Sequence, residues 1–110
     1  MTPEQETKAA AVLLDVLAER HRQHERFGEQ ALPDGTGDQH RRQRAVDAQR
    51  LADLATSHGF LSWRLVLEEE VAEALAESDP VALRAELVQV AAVAVQWCEA
   101  IDRRRRADKT

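Results

Sequence analysis

From Leu87 to Ile101 the chain reads LVQVAAVAVQWCEAI, in which only Gln89, Gln96 and Glu99 are polar. A helix built from this stretch is apolar around most of its circumference and cannot turn a broad side to water. It is therefore either the central helix of a helical domain or a subunit interface. The rest of the composition agrees with an all-α chain. Of the 110 residues 44% are hydrophobic and 32% charged, with four Gly and three Pro, too apolar for a disordered chain and too poor in breakers for an all-β fold. The length fits one domain, 1–110. The longest unbroken apolar run, Val90 to Val95, falls far short of the ~20 residues that span a bilayer. MTPEQETKAA shows no basic-then-apolar leader, so a soluble, cytoplasmic protein without a membrane partner is expected.

Four helices can be placed from their ends. Thr2-Pro3-Glu4-Gln5 has the form of a capping box with Pro in the first turn, followed by an apolar stripe at Ala10, Leu13, Leu14 and Leu17, and Gly28 stops that helix. Residues 28–38, GEQALPDGTGD, hold three of the four glycines and form the one long loop. Asp38 is the expected cap of a second helix running to about His58, with Ala45, Ala48, Leu51, Ala52 and Ala55 inward and Gly59 as its stop. Ser62 caps a third helix, about Trp63 to Glu77. Asp79 and Pro80 open a fourth, which runs to about Arg103 and leaves a short basic tail, about 104–110.

The third helix carries Glu68, Glu69, Glu70, Glu73 and Glu77 within ten residues. Like charges four apart on a helix cost a few tenths of a kcal/mol per pair, so something must offset them. A solvated face neutralised by arginines is the plain explanation. Glu86 resists it, because Glu86 lies in line with Val90, Val93 and Trp97 on the stripe that should face inward, where a lone carboxylate is costly. The pairs Glu73/Glu86 and Glu70/Gln89 are both centred on the Asp79-Pro80 turn, so each pair stands at one height on two antiparallel helices, with the two heights ~4.5 Å apart. Carboxylates this close share protons or bind a hard divalent cation through oxygen. Mg²⁺, with Mn²⁺ as the alternative, suits a half-open site completed by phosphate oxygens.

The segment WRLVLEEEVAEALAESDPVALRAELVQVAAVAVQW resembles the MazG-like branch of the all-α nucleoside triphosphate pyrophosphohydrolases, whose signature is E-x-x-E, a spacer, then E-x-x-D. Glu70-x-x-Glu73 is followed after twelve residues by Glu86-x-x-Gln89, so three of the four acids are present, and Glu69 extends the first half to E-E-x-x-E. RHRQHERFGEQALPDGTG also looks like the amino-terminal part of such proteins. The resemblance implies a four-helix domain assembled as a homodimer or homotetramer, and an enzyme that cleaves a nucleoside triphosphate between its α and β phosphates to a monophosphate and pyrophosphate. It implies Mg²⁺ held by Glu70, Glu73 and Glu86, with Glu69, Glu70 and Glu73 as the catalytic set and Glu69 ligating or orienting the attacking water. Gln89 stands where the family has Asp and brings no negative charge. That leaves a second possibility, a catalytically weakened or non-catalytic nucleotide-binding helical oligomer.

Arg20, Gln23, Gln30 and Gln89 are the candidate substrate-binding residues, since phosphate favours guanidinium and the glycine loop can close over a nucleotide. Arg22, Arg41, Arg42 and Arg44 could reach the same phosphates, though a solvated face accounts for most of these arginines. His21 and His24 lack a third ligand for a metal. Trp63 and Trp97 could stack a base but read more simply as buried. Cys98, the one cysteine, excludes an intramolecular disulfide and reads as a small apolar filler. With 20 acidic against 15 basic residues, a net charge of −5 and only four aromatic residues, nucleic acid is not an expected partner.

Overall fold

The computed structural model describes residues 1–109, which form four helices and no strand: α1 (Pro3–Phe27), α2 (Gln39–His58), α3 (Trp63–Ala76) and α4 (Pro80–Asp108). The helix ends follow from local chemistry. Thr2 Oγ1 accepts from the Gln5 amide at 3.2 Å while Gln5 Oε1 accepts from the Thr2 amide at 2.7 Å, closing the capping box ahead of Pro3. Ser62 caps α3 through the Leu65 amide at 3.2 Å, and the Asp79 carboxylate caps α4 through the Ala82 amide at 2.9 Å. Gly59, at φ +77°, closes α2 in the left-handed region.

Three ends differ from expectation. Asp38 occupies the N-cap position of α2, but its side chain bonds no helix amide and pairs instead with Arg41 at 3.4 Å. A nearby guanidinium has taken the carboxylate that the amides would have used. The basic tail is not a tail: α4 runs on through Arg103–Arg106 to Asp108. Arginine is a good helix former, and cations near a helix C-terminus are favoured by its dipole. α3 stops at Ala76, because Glu77 turns extended at φ −85°, ψ 129°.

The chain divides into two compact units, Met1–Pro33 with the chain from Val95 onward, and Asp34–Ala94. In the second unit α2 packs on α3, and Ala52, Ala55, Leu65, Ala74 and Leu83 are buried. Alanines at these positions let helix backbones approach closely. Among the described residues of the first unit, only Val12 and Ala100 are buried. The Ala10, Leu13, Leu14, Leu17 stripe of α1 is exposed, with Leu14 at 66% of its surface in water. Val12 lies about 150° around the helix from the centre of that stripe, so α1 buries a different face from the one its leucines define.

Among the described residues no large side chain is fully buried, and Leu87, Val88 and Ile101 of α4 are also exposed. Each Leu moved out of water is worth roughly 1.5–3 kcal/mol, so these bare leucines are unused stabilisation in the single chain. By length and composition α4 is apolar enough to cross a membrane, a property shared by interface and core helices of water-soluble proteins.

Candidate metal centre

Two helices of the second unit bring three carboxylates together. Glu70 and Glu73 are a turn apart on α3, Glu86 lies near the start of α4, and the turn between the helices reverses the chain. One oxygen from each of Glu70, Glu73 and Glu86 lies within 4.8 Å of the other two. All three residues are half-buried. Glu70 Oε2 and Glu86 Oε2 are shut off from water and have no hydrogen-bond partner among the described residues. A buried oxygen left unpaired carries a desolvation cost of about 1–3 kcal/mol, more when charged. The apolar stripe that carries Glu86 is what pulls its carboxylate inward.

The neighbouring carboxyls record the crowding. Glu73 is pushed above its ordinary value first by burial and then by the charges of Glu70, Glu69 and Glu86, and it hydrogen-bonds Glu69. Glu69 is likewise raised by burial, then by the charges of Glu70 and Asp53. Both carboxyls at this edge of the cluster therefore hold their protons more tightly than a free glutamate does. Asp53 was not singled out by sequence. It comes from α2, and no motif spacing links α2 to the acidic hairpin, so only the packing of α2 on α3 reveals it. Gln89, paired with Glu70 by the register argument, is exposed.

Arg20, Gln23 and Gln30 line one open cleft of about 510 Å³ in the first unit, with His24 and Phe27. Arg20 donates to Gln23 Oε1 at 2.8 Å, and all three residues are exposed. Arg22 pairs with Glu19 at 2.6 Å, Arg41 with Asp38, and Arg42 with the Gly37 carbonyl and Gln39. Local partners thus occupy these guanidiniums, while Arg44 rims an apolar groove of about 610 Å³ between α2 and α3, floored by Leu51, Val71 and Leu75. On α3 that groove, which Glu68 also lines, lies on the face opposite Glu69 and Glu73, since Leu67, Val71 and Leu75 are about half a circle from them.

His21 and His24 join no metal-ligating group; among the described residues that arrangement is found only at Glu70, Glu73 and Glu86. Trp63 and Trp97 are half-buried. Cys98 is exposed and is not the buried filler its apolar neighbours suggested. Those neighbours belong to a helix whose apolar side chains are themselves largely in water.

No protein-family model, no curated protein and no solved structure matches the chain. The reading of the site therefore stands on its residues and their geometry.

Proposed function

We propose that the chain is a divalent-cation-dependent hydrolase of nucleoside triphosphates, releasing pyrophosphate from between the α and β phosphates, with Mg²⁺ or Mn²⁺ held by Glu70, Glu73 and Glu86. The observation that carries this reading is the convergence of three carboxylates with two buried, unpaired oxygens. The donor set fits the ion. Around Mg²⁺ neighbouring oxygens stand ~3.0 Å apart and opposite ones ~4.2 Å, so carboxylates no more than 4.8 Å apart reach that geometry by small side-chain turns. A cation bound there would neutralise the phosphoryl oxygens and activate water for attack.

The chain's own groups supply the remaining parts. Glu69, beside Glu70 on α3, is the carboxylate proposed to take a proton from the attacking water, and its raised proton affinity supports that role. Within the first unit, Arg20, Gln23 and Gln30 line a cleft whose guanidinium and amides are the kinds of group that bind phosphate and base. The exposed leucines of α1, with Leu87 and Val88 of α4, support assembly of the chain as a homodimer or homotetramer. Cytoplasmic location belongs to the same proposal.

Gln89 favours a second reading, a nucleotide-binding oligomer that holds the cation without turning over, because an amide adds neither charge nor a base. Pyrophosphate release from a panel of common and modified triphosphates with Mg²⁺, with Glu73→Gln as control, separates the two. Release that depends on Mg²⁺ and on Glu73 is the expected result. Cation binding with no release from any substrate, and recovery of release in Gln89→Asp, selects the second reading. Failure to bind the cation at all removes both.

A further inference from the structure

α3 ends with the Glu77 amide on the Ala74 carbonyl at 3.1 Å, which leaves the carbonyls beyond Ala74 to find other partners. The last carbonyls of a helix lack intrahelical partners, and the usual remedy is a glycine just past the end. Here the chain continues Glu77-Ser78-Asp79, with no glycine. The remedy comes from a distant segment. The Gly37 amide donates to the Leu75 carbonyl at 3.0 Å, and the Thr36 hydroxyl donates to the Glu77 carbonyl at 2.7 Å. Gly37 is held from its other side as well, since its carbonyl accepts from the Arg42 guanidinium. Of the loop residues 28–38 only Thr36 and Gly37 are not fully exposed.

The contact is tight enough to require glycine. A Cβ on Gly37 would stand 2.6 Å from Ser78 Cβ and 2.9 Å from Ser78 Cα, and Gly37 itself has φ +84°, a conformation that side chains disfavour. Thr36 and Gly37 thus clasp the turn that joins the two acidic helices. Glu73 lies two residues before Leu75, and Glu86 two turns into the helix that follows. Helix ends fray, and the mutual repulsion of Glu69, Glu73 and Glu86 would drive this end apart.

We infer that Thr36 and Gly37 are positioning residues of the carboxylate cluster: their clasp on the end of α3 holds Glu73 and Glu86 at the spacing a divalent cation needs. The inference rests on the metal-centre reading. Mn²⁺ titrated calorimetrically into the full chain tests that reading, and the ratio of variant to wild-type affinity tests the clasp. Gly37→Ala is expected to weaken Mn²⁺ binding at least tenfold with helix content unchanged by circular dichroism. Thr36→Val should weaken it about threefold to tenfold, the range of one hydrogen bond, and Thr36→Ser, which keeps the hydroxyl, should restore it. If Gly37→Ala does not fold, the Val and Ser variants of Thr36 decide. Wild-type affinity in Thr36→Val and in any folded Gly37→Ala overturns the clasp and leaves the metal centre standing. Should the wild-type chain bind no Mn²⁺, the metal centre falls, and the clasp is judged on nuclear Overhauser contacts between the Glu73 and Glu86 methylenes. Their loss in Thr36→Val sustains the positioning role, and their persistence overturns it.

Discussion

The acidic cluster of Asp34–Ala94 and the polar cleft of Met1–Pro33 differ in how far their charges are already satisfied. In the cleft, Arg20 donates to Gln23 and every candidate ligand stands in water. Such groups lose little by having no ligand. In the cluster, Glu70 and Glu86 each bury an oxygen without a hydrogen-bond partner among the described residues, Glu69 is raised by burial and by the charges of Glu70 and Asp53, and Glu73 by burial and by the charges of Glu70, Glu69 and Glu86. An arrangement that is costly without a ligand points to one, because binding removes the cost. An arrangement that is comfortable in water points to nothing by itself. The contrast has consequences of different size in the two places.

The largest effect is expected at Glu73. Glu73→Gln removes a ligand charge and should lower Mn²⁺ affinity at least about 100-fold, beyond what changes behind the ligands usually cost. The same variant should melt higher than wild type when both are metal-free, since it deletes the like-charge interactions with Glu70, Glu69 and Glu86, worth a few tenths of a kcal/mol each. Opposite signs with and without metal would show a site whose strain serves binding. A metal-free variant that melts lower than wild type breaks the contrast, for Glu73 would then be stabilising on its own.

The dependence on pH is next in size. Because Glu69 and Glu73 hold protons more tightly in the folded chain than in the unfolded one, the folded state binds more protons above the ordinary value of 4.5. Metal-free stability is therefore fully expressed below that value and falls as pH rises through the raised ones. A saturating cation takes the place of the protons and should abolish the fall, adding about 2.7 kcal/mol at a hundredfold excess over its dissociation constant. Thermal melts at pH 4 to 8, with Mg²⁺ and with chelator, check this. Parallel curves in the two conditions would mean that the cation and the protons occupy different groups.

Much of the architecture was legible because it is written in local chemistry. Thr2, Ser62, Asp79 and Gly59 fix helix ends through contacts within five residues, and the shared centre of Glu73/Glu86 and Glu70/Gln89 on the Asp79-Pro80 turn follows from helical rise alone. What sequence did not reveal depends on contacts between distant segments. Asp53 reaches Glu69 from α2, and Thr36 and Gly37 reach the end of α3 across some forty residues. No period or spacing encodes such meetings. The α1 stripe shows a third kind of gap. Leu13, Leu14 and Leu17 were read correctly as an apolar face but not as one left bare, because a pattern of hydrophobic residues says that a face needs covering and not which chain covers it.

The smallest effect is expected at Arg20, and it sharpens the contrast from the other side. Arg20 is exposed, and its one recorded partner, Gln23, lies on the same helix, so Arg20→Ala should change stability by no more than about 0.5 kcal/mol, as surface substitutions usually do. Mn²⁺ affinity should stay within about twofold of wild type, since Arg20 bonds Gln23 and is not one of the three clustered carboxylates. If the cleft receives phosphate, the loss shows in turnover as a KM raised roughly tenfold with kcat unchanged, the pattern of a contact made equally in ground and transition states. A change in kcat would place Arg20 at the reacting phosphate and make the cleft part of the chemistry. A change in metal affinity would be the more damaging result, because it would mean that the two polar regions share the ion and that satisfaction in water does not separate them.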